Sequence, residues 1–74
     1  MDKEQLAYTI GKNIAQKCKE QKLSQKDLAE QSGLTEAGIS RYISGHRLPR
    51  LDILLKIADT LHCSLDYLLY GLEV

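Results

Sequence analysis

Two cysteines and no long apolar run limit the classes of protein that this sequence can encode. Cys18 and Cys63 are far apart and form no C-x-x-C pair, so a secreted disulfide framework and a zinc-finger signature are both absent. Reduced, partly buried thiols explain these residues better than a zinc site built from His46, His62 and Cys63. The sequence therefore predicts no metal and no cofactor.

Targeting and membrane segments are also missing. No eighteen consecutive residues are apolar, and no basic and apolar leader with a small-residue cleavage site is found. We therefore expect a cytoplasmic protein with no membrane contact. A chain of 74 residues without a visible linker or internal repeat suits one domain, so residues 1–74 are predicted to form a single unit.

The formal net charge is zero, yet the charges are unevenly distributed. Residues 1–50 contain nine Lys or Arg against six Asp or Glu, a net of +3, whereas residues 51–74 have a net of −3. A phosphate-binding surface is therefore expected in the first fifty residues, with the acidic end directed away from it.

Helices are predicted throughout, because no segment shows the alternation of a half-buried strand. A first helix has one apolar stripe and ends near Gln21 or Lys22. A second begins after the capping residue Ser24 and stops at Gly33, since glycine adopts a left-handed conformation at low cost. The stripe of the first helix consists of Leu6, Ile10, Ile14 and Cys18.

Three further helices complete the prediction of a compact, all-α domain of five helices. Thr35 caps the third, which runs to about Ser44 before Gly45 ends it. Pro49 is expected at the start of the fourth, and Ser64 is expected to cap the fifth. The apolar repeats are Leu51, Leu54, Leu55, Ala58 and Leu61 in the fourth helix and, directed inward, Leu65, Leu68, Leu69 and Leu72 in the fifth.

The third helix, within the segment GLTEAGISRYISG at residues 33–45, has few bulky side chains on one side. Ile39, Tyr42 and Ile43 are three and four positions apart and predict its core face. A helix that enters the major groove of DNA, about 12 Å wide, needs a slim outer face of this kind. The outer face carries Glu36, Ala37, Ser40, Arg41 and Ser44, beside Gly38.

This arrangement resembles the Cro/CI phage-repressor type of helix-turn-helix domain, the XRE-like family. The likeness covers residues 10–71 and rests on LSQKDLA, GLTEAGISRY and LLKIADTLHCSLDYLL in that order. It places the helix-turn-helix at about 24–45 and the C-terminal helices at about 50–71. It implies a lambda-repressor-like fold that binds operator DNA, commonly as a two-fold dimer, with the third helix in the major groove.

The resemblance also implies roles for individual residues. Glu36, Ala37 and Arg41 match positions that reach base edges, and these side chains suit cytosine, a thymine methyl group and guanine respectively. Ser40 is a weaker candidate for the same role. The residues expected at backbone phosphates are Gln25, Lys26, Ser44, His46, Arg47 and Arg50. The competing interpretation is an ordinary polar face in which these charges are only solvated.

Some positions depart from the family pattern. Glu36 replaces a frequent glutamine and repels phosphate, so weak nonspecific binding and a selective site are expected. Cys18 and Ile43 occupy positions where the family often pairs a buried arginine with a glutamate, and replacing both by apolar groups can be neutral or stabilising. Ser44 replaces a common asparagine and Arg50 a usual helix cap, which weakens the phosphate assignment at both.

The leading hypothesis is a sequence-specific transcriptional regulator, a repressor that binds a palindromic operator in double-stranded DNA as a homodimer. The alternative is an antitoxin or protein-protein adaptor with the same fold. No nucleophile and base can be placed together, so an enzyme is not expected, and no small-molecule ligand is evident. The surface proposed for a dimer, or for another partner, consists of Tyr67, Tyr70, Leu72 and Val74.

Overall fold

Five α-helices make up the computed structural model, which describes residues 2–72 of the chain. They are α1 (Lys3–Gln21), α2 (Gln25–Ser32), α3 (Glu36–Ile43), α4 (Leu51–Leu61) and α5 (Leu65–Tyr70). Within residues 2–72 no strand is present. The all-α prediction and the order of its five helices are confirmed.

Polar side chains cap four of the five helices, beginning with Asp2, whose carboxylate accepts from the amide of Gln5 over 2.8 Å at the start of α1. The Ser24 hydroxyl accepts from the amide of Asp27 over 3.0 Å, and the Asp27 carboxylate accepts from the amide of Ser24 over 2.9 Å. Thr35 and Ser64 accept from the amide three residues later, each over 3.0 Å. These contacts satisfy amides that have no partner inside the helix. The three predicted caps are thus confirmed.

The start of α4 confirms Arg50 at the capping position that the resemblance implies, and it corrects the place of Pro49. Pro49 precedes the helix instead of opening it, because Arg50 is the N-cap and Leu51 the first helical residue. Arg50 has the extended conformation of a capping position, with φ −69° and ψ 164°, and its side chain makes no capping hydrogen bond. α4 therefore begins without the polar side-chain cap that the other four helices have.

The core is formed around α1, which packs against α3, α4 and α5, while α2 packs against α3 and α4. Cys18 of α1 is buried, and Ile43 of α3 packs against the same apolar cluster. An apolar pair therefore occupies the positions where the family often has an ion pair, and burial raises the pKa of the Cys18 thiol. The fully buried side chains are Ile10, Ile14, Leu28, Ile39, Ile57, Leu61 and Leu68.

Three leucines that were placed in apolar repeats are exposed instead. Leu51 and Leu55 are 64% and 50% exposed, because α4 packs against α1, α2 and α5 through the face that carries Leu54 and Ile57. Leu72 is 59% exposed. It follows Gly71, whose left-handed conformation (φ 73°) ends α5, so helical spacing no longer determines where Leu72 points.

A glycine allows α1 and α3 to approach closely. Gly11 is buried, and a Cβ atom added there would overlap the backbone carbonyl groups of Tyr42 and Ile43. No other residue type fits at this contact without moving one of the two helices. Gly11 therefore fixes the distance of α3 from the body of the domain.

Two amide side chains of α1 bind the C-terminal ends of the last two helices. Asn13 Nδ2 donates to the carbonyl oxygens of Tyr67 and Leu68, each over 3.0 Å. Gln21 Nε2 donates to the carbonyl oxygen of Leu61 over 2.6 Å. The last carbonyl groups of a helix have no partner inside it, so the bonds to Leu61 and Leu68 satisfy oxygens that α4 and α5 leave open, whereas the oxygen of Tyr67 also accepts from the amide of Gly71 over 2.7 Å.

Candidate nucleic-acid interface

A tight turn connects α2 to α3. Gly33 ends α2 in the left-handed conformation (φ 74°), and its amide donates to the carbonyl oxygen of Ala29. The amide of Leu34 donates to the same oxygen over 3.0 Å, and its side chain packs against the core. Thr35 then caps α3, so only residues 33–35 separate the two helices. The expected role of Gly33 in the turn is confirmed.

The outer face of α3 is open to solvent. Ile39 is fully buried, and Tyr42 and Ile43 are half-buried against the core, as the spacing predicted. The four residues predicted to read bases are all exposed and lie on one face of this short helix: Glu36, Ala37, Ser40 and Arg41. The structure thus presents them together, and their contact with DNA stays a prediction.

Gly38 keeps this helix slim near its start. A Cβ atom added there would lie 2.9 Å from Thr35 Oγ1, the oxygen that caps the helix through the amide of Gly38. A side chain at residue 38 would therefore press on the cap. The low bulk of this part of α3 serves the cap and leaves room beside Glu36 and Ala37.

The first turn of α2 carries two of the predicted phosphate contacts. Gln25 and Lys26 are both exposed there. The N-terminal end of a helix favours negative charge, because its first amides point outward and the helix dipole is positive. Asp27 is a negative charge that already lies at this end of α2. Hydrogen bonds from Ser24, of which the one from its backbone amide has the largest effect, hold the pKa of the Asp27 carboxyl below the usual value.

The loop between α3 and α4 holds its polar side chains in an internal network. The Ser44 hydroxyl donates to the carbonyl oxygen of Arg41 over 3.1 Å, and Ser44 Oγ lies 2.6 Å from His46 Nδ1. A hydroxyl has one proton, so with that proton on the carbonyl, His46 Nδ1 is the donor of the second bond. A phosphate contact by Ser44 would have to compete with these two bonds.

Gly45 turns this loop back onto α1. It has φ 79°, and a Cβ atom there would lie 3.3 Å from the Cα atom of Tyr8. The contact directs the residues that follow it across the N-terminal end of α1. A shallow pocket at this end is lined by His46 and Arg47 of the loop and by Lys3 and Glu4 of α1, among others.

Two arginines of the loop are exposed and differ in their surroundings. Arg47 is exposed, and its amide donates to the carbonyl oxygen of Arg41 over 3.3 Å. Arg50 Nε lies 3.7 Å from Asp52 Oδ1, and these side chains are 80% and 65% exposed. Sequence reasoning missed Asp52, although its position two residues after a basic residue is visible in the sequence.

The C-terminal surface is smaller than predicted. Tyr70 is 60% exposed and Leu72 59%, whereas Tyr67 is buried in the core at 7%, with Lys17 Nζ 4.4 Å from its ring centroid. Tyr67 is therefore not available to a partner. Val74 lies outside the described residues. Leu51 and Leu55 of α4 form a second exposed apolar pair that sequence reasoning had placed in the core repeat.

Neither a membrane span nor a metal centre stands out in the part of the chain that the structure describes. Over residues 2–72, no helix combines the length and the apolar character that crossing a bilayer requires. In the same range, no three His, Cys, Asp or Glu side chains lie close enough together to bind one metal ion. The three residues considered as zinc ligands, His46, His62 and Cys63, are therefore not grouped as a metal site.

Comparison with known proteins identifies the fold of this interface. The sequence model of the helix-turn-helix family HTH_3 matches residues 14–68. A curated relative, the uncharacterized HTH-type transcriptional regulator YqaE of Bacillus subtilis (strain 168), is 40% identical over 62 residues. That alignment covers 84% of this chain and 53% of the relative, so the chain spans about half the length of the curated relative.

Solved structures show the same architecture. The P22 c2 repressor, solved in complex with synthetic operator 9T, has a TM-score of 0.79 at 32% identity, over 84% of this chain and 94% of that one. A hypothetical transcription factor, NHTF from Neisseria, has a TM-score of 0.84 at 25% identity, over 93% and 79%. An HTH_3 family regulator from Vibrio cholerae, TM-score 0.88 at 21% identity over 95% and 39%, supports the fold alone.

Proposed function

The chain belongs to the helix-turn-helix family of DNA-binding transcription regulators, and we propose that it is a repressor that reads a palindromic operator with α3. The family is one of regulators and not of enzymes. The observation that carries the proposal is the solvent-facing side of α3, which presents Glu36, Ala37 and Arg41 together at the end of a tight helix-turn-helix.

Each side chain on this face has a chemical role in the proposal. Arg41 donates two hydrogen bonds to guanine, the Ala37 methyl group contacts the thymine methyl group, and the Glu36 carboxylate accepts from the amino group of cytosine. Ser40 contacts a base edge or a phosphate. Bidentate pairing of this kind discriminates against a wrong base by about 1–3 kcal/mol, so Arg41 contributes the largest share of the specificity.

Exposed polar and basic groups on both sides of α3 hold the domain on the DNA backbone. Gln25 and Lys26 lie at the start of α2, and His46, Arg47 and Arg50 lie in the loop after α3. Contacts to phosphates carry no sequence information, but they set the orientation in which α3 meets the bases. The P22 c2 repressor, a structural relative at 32% identity that was solved with operator DNA, supports this use of the fold.

A homodimer completes the proposal. Two-fold dimers of helix-turn-helix domains bind half-sites about one helical turn apart, which makes the operator an inverted repeat. We place the dimer contact at Tyr70 and Leu72, both exposed and apolar, since Tyr67 is buried. Repression then follows from occupying the operator and excluding polymerase, and the protein acts in the cytoplasm, where it meets double-stranded DNA.

Selection of bound duplexes from a random DNA pool, at low and at moderate salt, tests the proposal. Enrichment of an inverted repeat with half-sites about one helical turn apart is the expected result. Enrichment of a single half-site would retain the DNA-reading role and reject the dimer. Failure to enrich any sequence at either salt would contradict the proposal, and it would favour the antitoxin or adaptor function with Tyr70 and Leu72 as the surface for a protein partner.

A further inference from the structure

An acidic residue at the start of α4 lies beside one of the arginines proposed to contact phosphate. Arg50 Nε and Asp52 Oδ1 are 3.7 Å apart, and both side chains are largely exposed. Arg50 is the N-cap of α4, at the end of the loop that also carries His46 and Arg47. A carboxylate thus stands within ion-pairing distance of a guanidinium group in the proposed DNA interface.

Asp52 has a structural function at this position. It lies in the first turn of α4, and no side chain caps this helix, because Arg50 makes no capping hydrogen bond. A negative charge in the first turn interacts favourably with the positive end of the helix dipole. Removing the charge should therefore destabilise α4 slightly.

The same charge would oppose a phosphate contact by Arg50. A DNA phosphate and the Asp52 carboxylate compete for the Arg50 guanidinium group, and exposed ion pairs are weak enough for phosphate to displace the carboxylate. While the pair persists, the Arg50 side chain lies beside the first turn of α4 and makes no phosphate contact. A missing phosphate contact lowers the affinity for DNA and also makes that affinity less dependent on salt. Arg41 on α3 is not affected, because base reading does not involve Arg50.

We propose that Asp52 is a positioning residue that holds Arg50 away from the DNA backbone and so limits the affinity of the domain for all duplexes alike. The inference rests on the proposed function, since it concerns the phosphate contacts of that interface. As a consequence, the protein binds random DNA weakly, and the base contacts of α3 keep it bound to its operator. Glu36, which repels phosphate from within the reading face, acts in the same direction.

The variant Asp52→Asn tests the proposal with two readouts of opposite sign. We expect about threefold tighter binding, per subunit, to both the selected operator and random DNA, which is the effect of releasing an exposed ion pair, with a steeper dependence of affinity on salt. We expect a slightly lower melting temperature, because the helix dipole loses its partner. A purely structural role would lower the melting temperature and weaken DNA binding together, which would overturn the proposal.

Asp59→Asn is the matched control. Asp59 is exposed in the last turn of the same helix, seven residues or about 10 Å further along its axis. Because the Debye length is about 8 Å at physiological salt, this charge should affect the loop little. An equal gain in affinity from Asp59→Asn would show that only net charge matters and would reject the assignment to Asp52.

A double variant separates the route through Arg50 from direct repulsion. With Arg50→Ala present, Asp52→Asn should lose most of its threefold effect, because the side chain that it releases is gone. An undiminished effect would mean that Asp52 repels phosphate directly, and would overturn its action through Arg50. If the unmodified protein binds no duplex, the proposed function fails; if it binds and Asp52→Asn changes nothing, only this inference fails.

Discussion

The side-chain amide of Asn13 donates to the backbone carbonyl oxygen of Leu68 over 3.0 Å, and to that of Tyr67 over the same distance. Asn13 is a buried polar residue of α1, 8% exposed, and it is bonded to the last turn of α5. The bonds join segments that are 54 and 55 positions apart in the sequence. The final helix is therefore attached to the first by a polar contact inside the core.

Asn13→Ala should lower the free energy of unfolding by about 1–3 kcal/mol, because the carbonyl oxygen of Leu68 would lose its side-chain donor and that of Tyr67 would keep only the amide of Gly71. Urea denaturation of the two proteins measures the difference. Gln16→Ala is the control, since Gln16 lies on the same helix and bonds only to Glu20 at the surface, over 3.1 Å. A change within about 0.5 kcal/mol is expected there. Equal effects of the two substitutions would contradict the role of Asn13.

Gly11→Ala should destabilise the domain although alanine favours helices. The added methyl group would overlap the carbonyl groups of Tyr42 and Ile43, and overpacking of this kind costs about 1–3 kcal/mol. Gly38→Ala is the matched control on α3. Alanine at residue 38 should stabilise α3 by about 1 kcal/mol through its higher helix propensity. It should also destabilise α3 by about 1 kcal/mol because it disturbs the Thr35 cap, so the two effects should nearly cancel. A Gly11→Ala protein as resistant to urea as the unmodified one would show that α1 and α3 can separate freely.

The capping box of α2 should make stability depend on pH. Hydrogen bonds from Ser24 lower the pKa of Asp27 in the folded state, so its contribution is present at neutral pH and is lost as pH falls through that lowered pKa. Asp27→Asn keeps a hydrogen-bond acceptor and removes the charge. The melting temperature of the unmodified protein should exceed that of the variant at pH 7, and the two should converge as acid protonates Asp27 in the folded state. A difference that stays constant with pH would mean that the charge is not involved.

Self-association should depend on the C-terminal surface. Burying a leucine side chain contributes about 1.5–3 kcal/mol, so joint replacement of Tyr70 and Leu72 by serine should raise the dimer dissociation constant at least about tenfold. Sedimentation at several concentrations measures it. Leu55→Ser, at an exposed leucine of α4, is the control and should leave association unchanged. The reverse pattern would move the interface to α4.

Local signals account for the parts of the fold that sequence could predict. Ser24, Thr35 and Ser64 mark helix starts because a cap involves only the next three residues, and Gly33 marks an end because its conformation is intrinsic to glycine. The outer face of α3 followed from the spacing of Ile39 and Tyr42 in the same way. Each of these features depends on residues within one turn of each other.

Long-range packing explains what sequence could not predict. An apolar repeat indicates a helix, but only some of the leucines of α4 are buried. Which ones are buried depends on where α1, α2 and α5 lie. Tyr67 and Tyr70 are alike in the sequence, yet one is buried and the other exposed, because the face of α5 that meets α1 is decided by the whole fold. The bond from Asn13 to α5 has no local pattern at all.

The central claim is that α3 reads base edges while the loop after it contacts phosphates. The measurement that tests it most directly is the affinity of Arg41→Ala and Arg47→Ala proteins for the selected operator and for random DNA, at two salt concentrations. Arg41→Ala should cost about 1–3 kcal/mol on the operator and much less on random DNA. Arg47→Ala should weaken binding to both alike and reduce the salt dependence. Equal losses on operator and random DNA for Arg41→Ala would contradict the account.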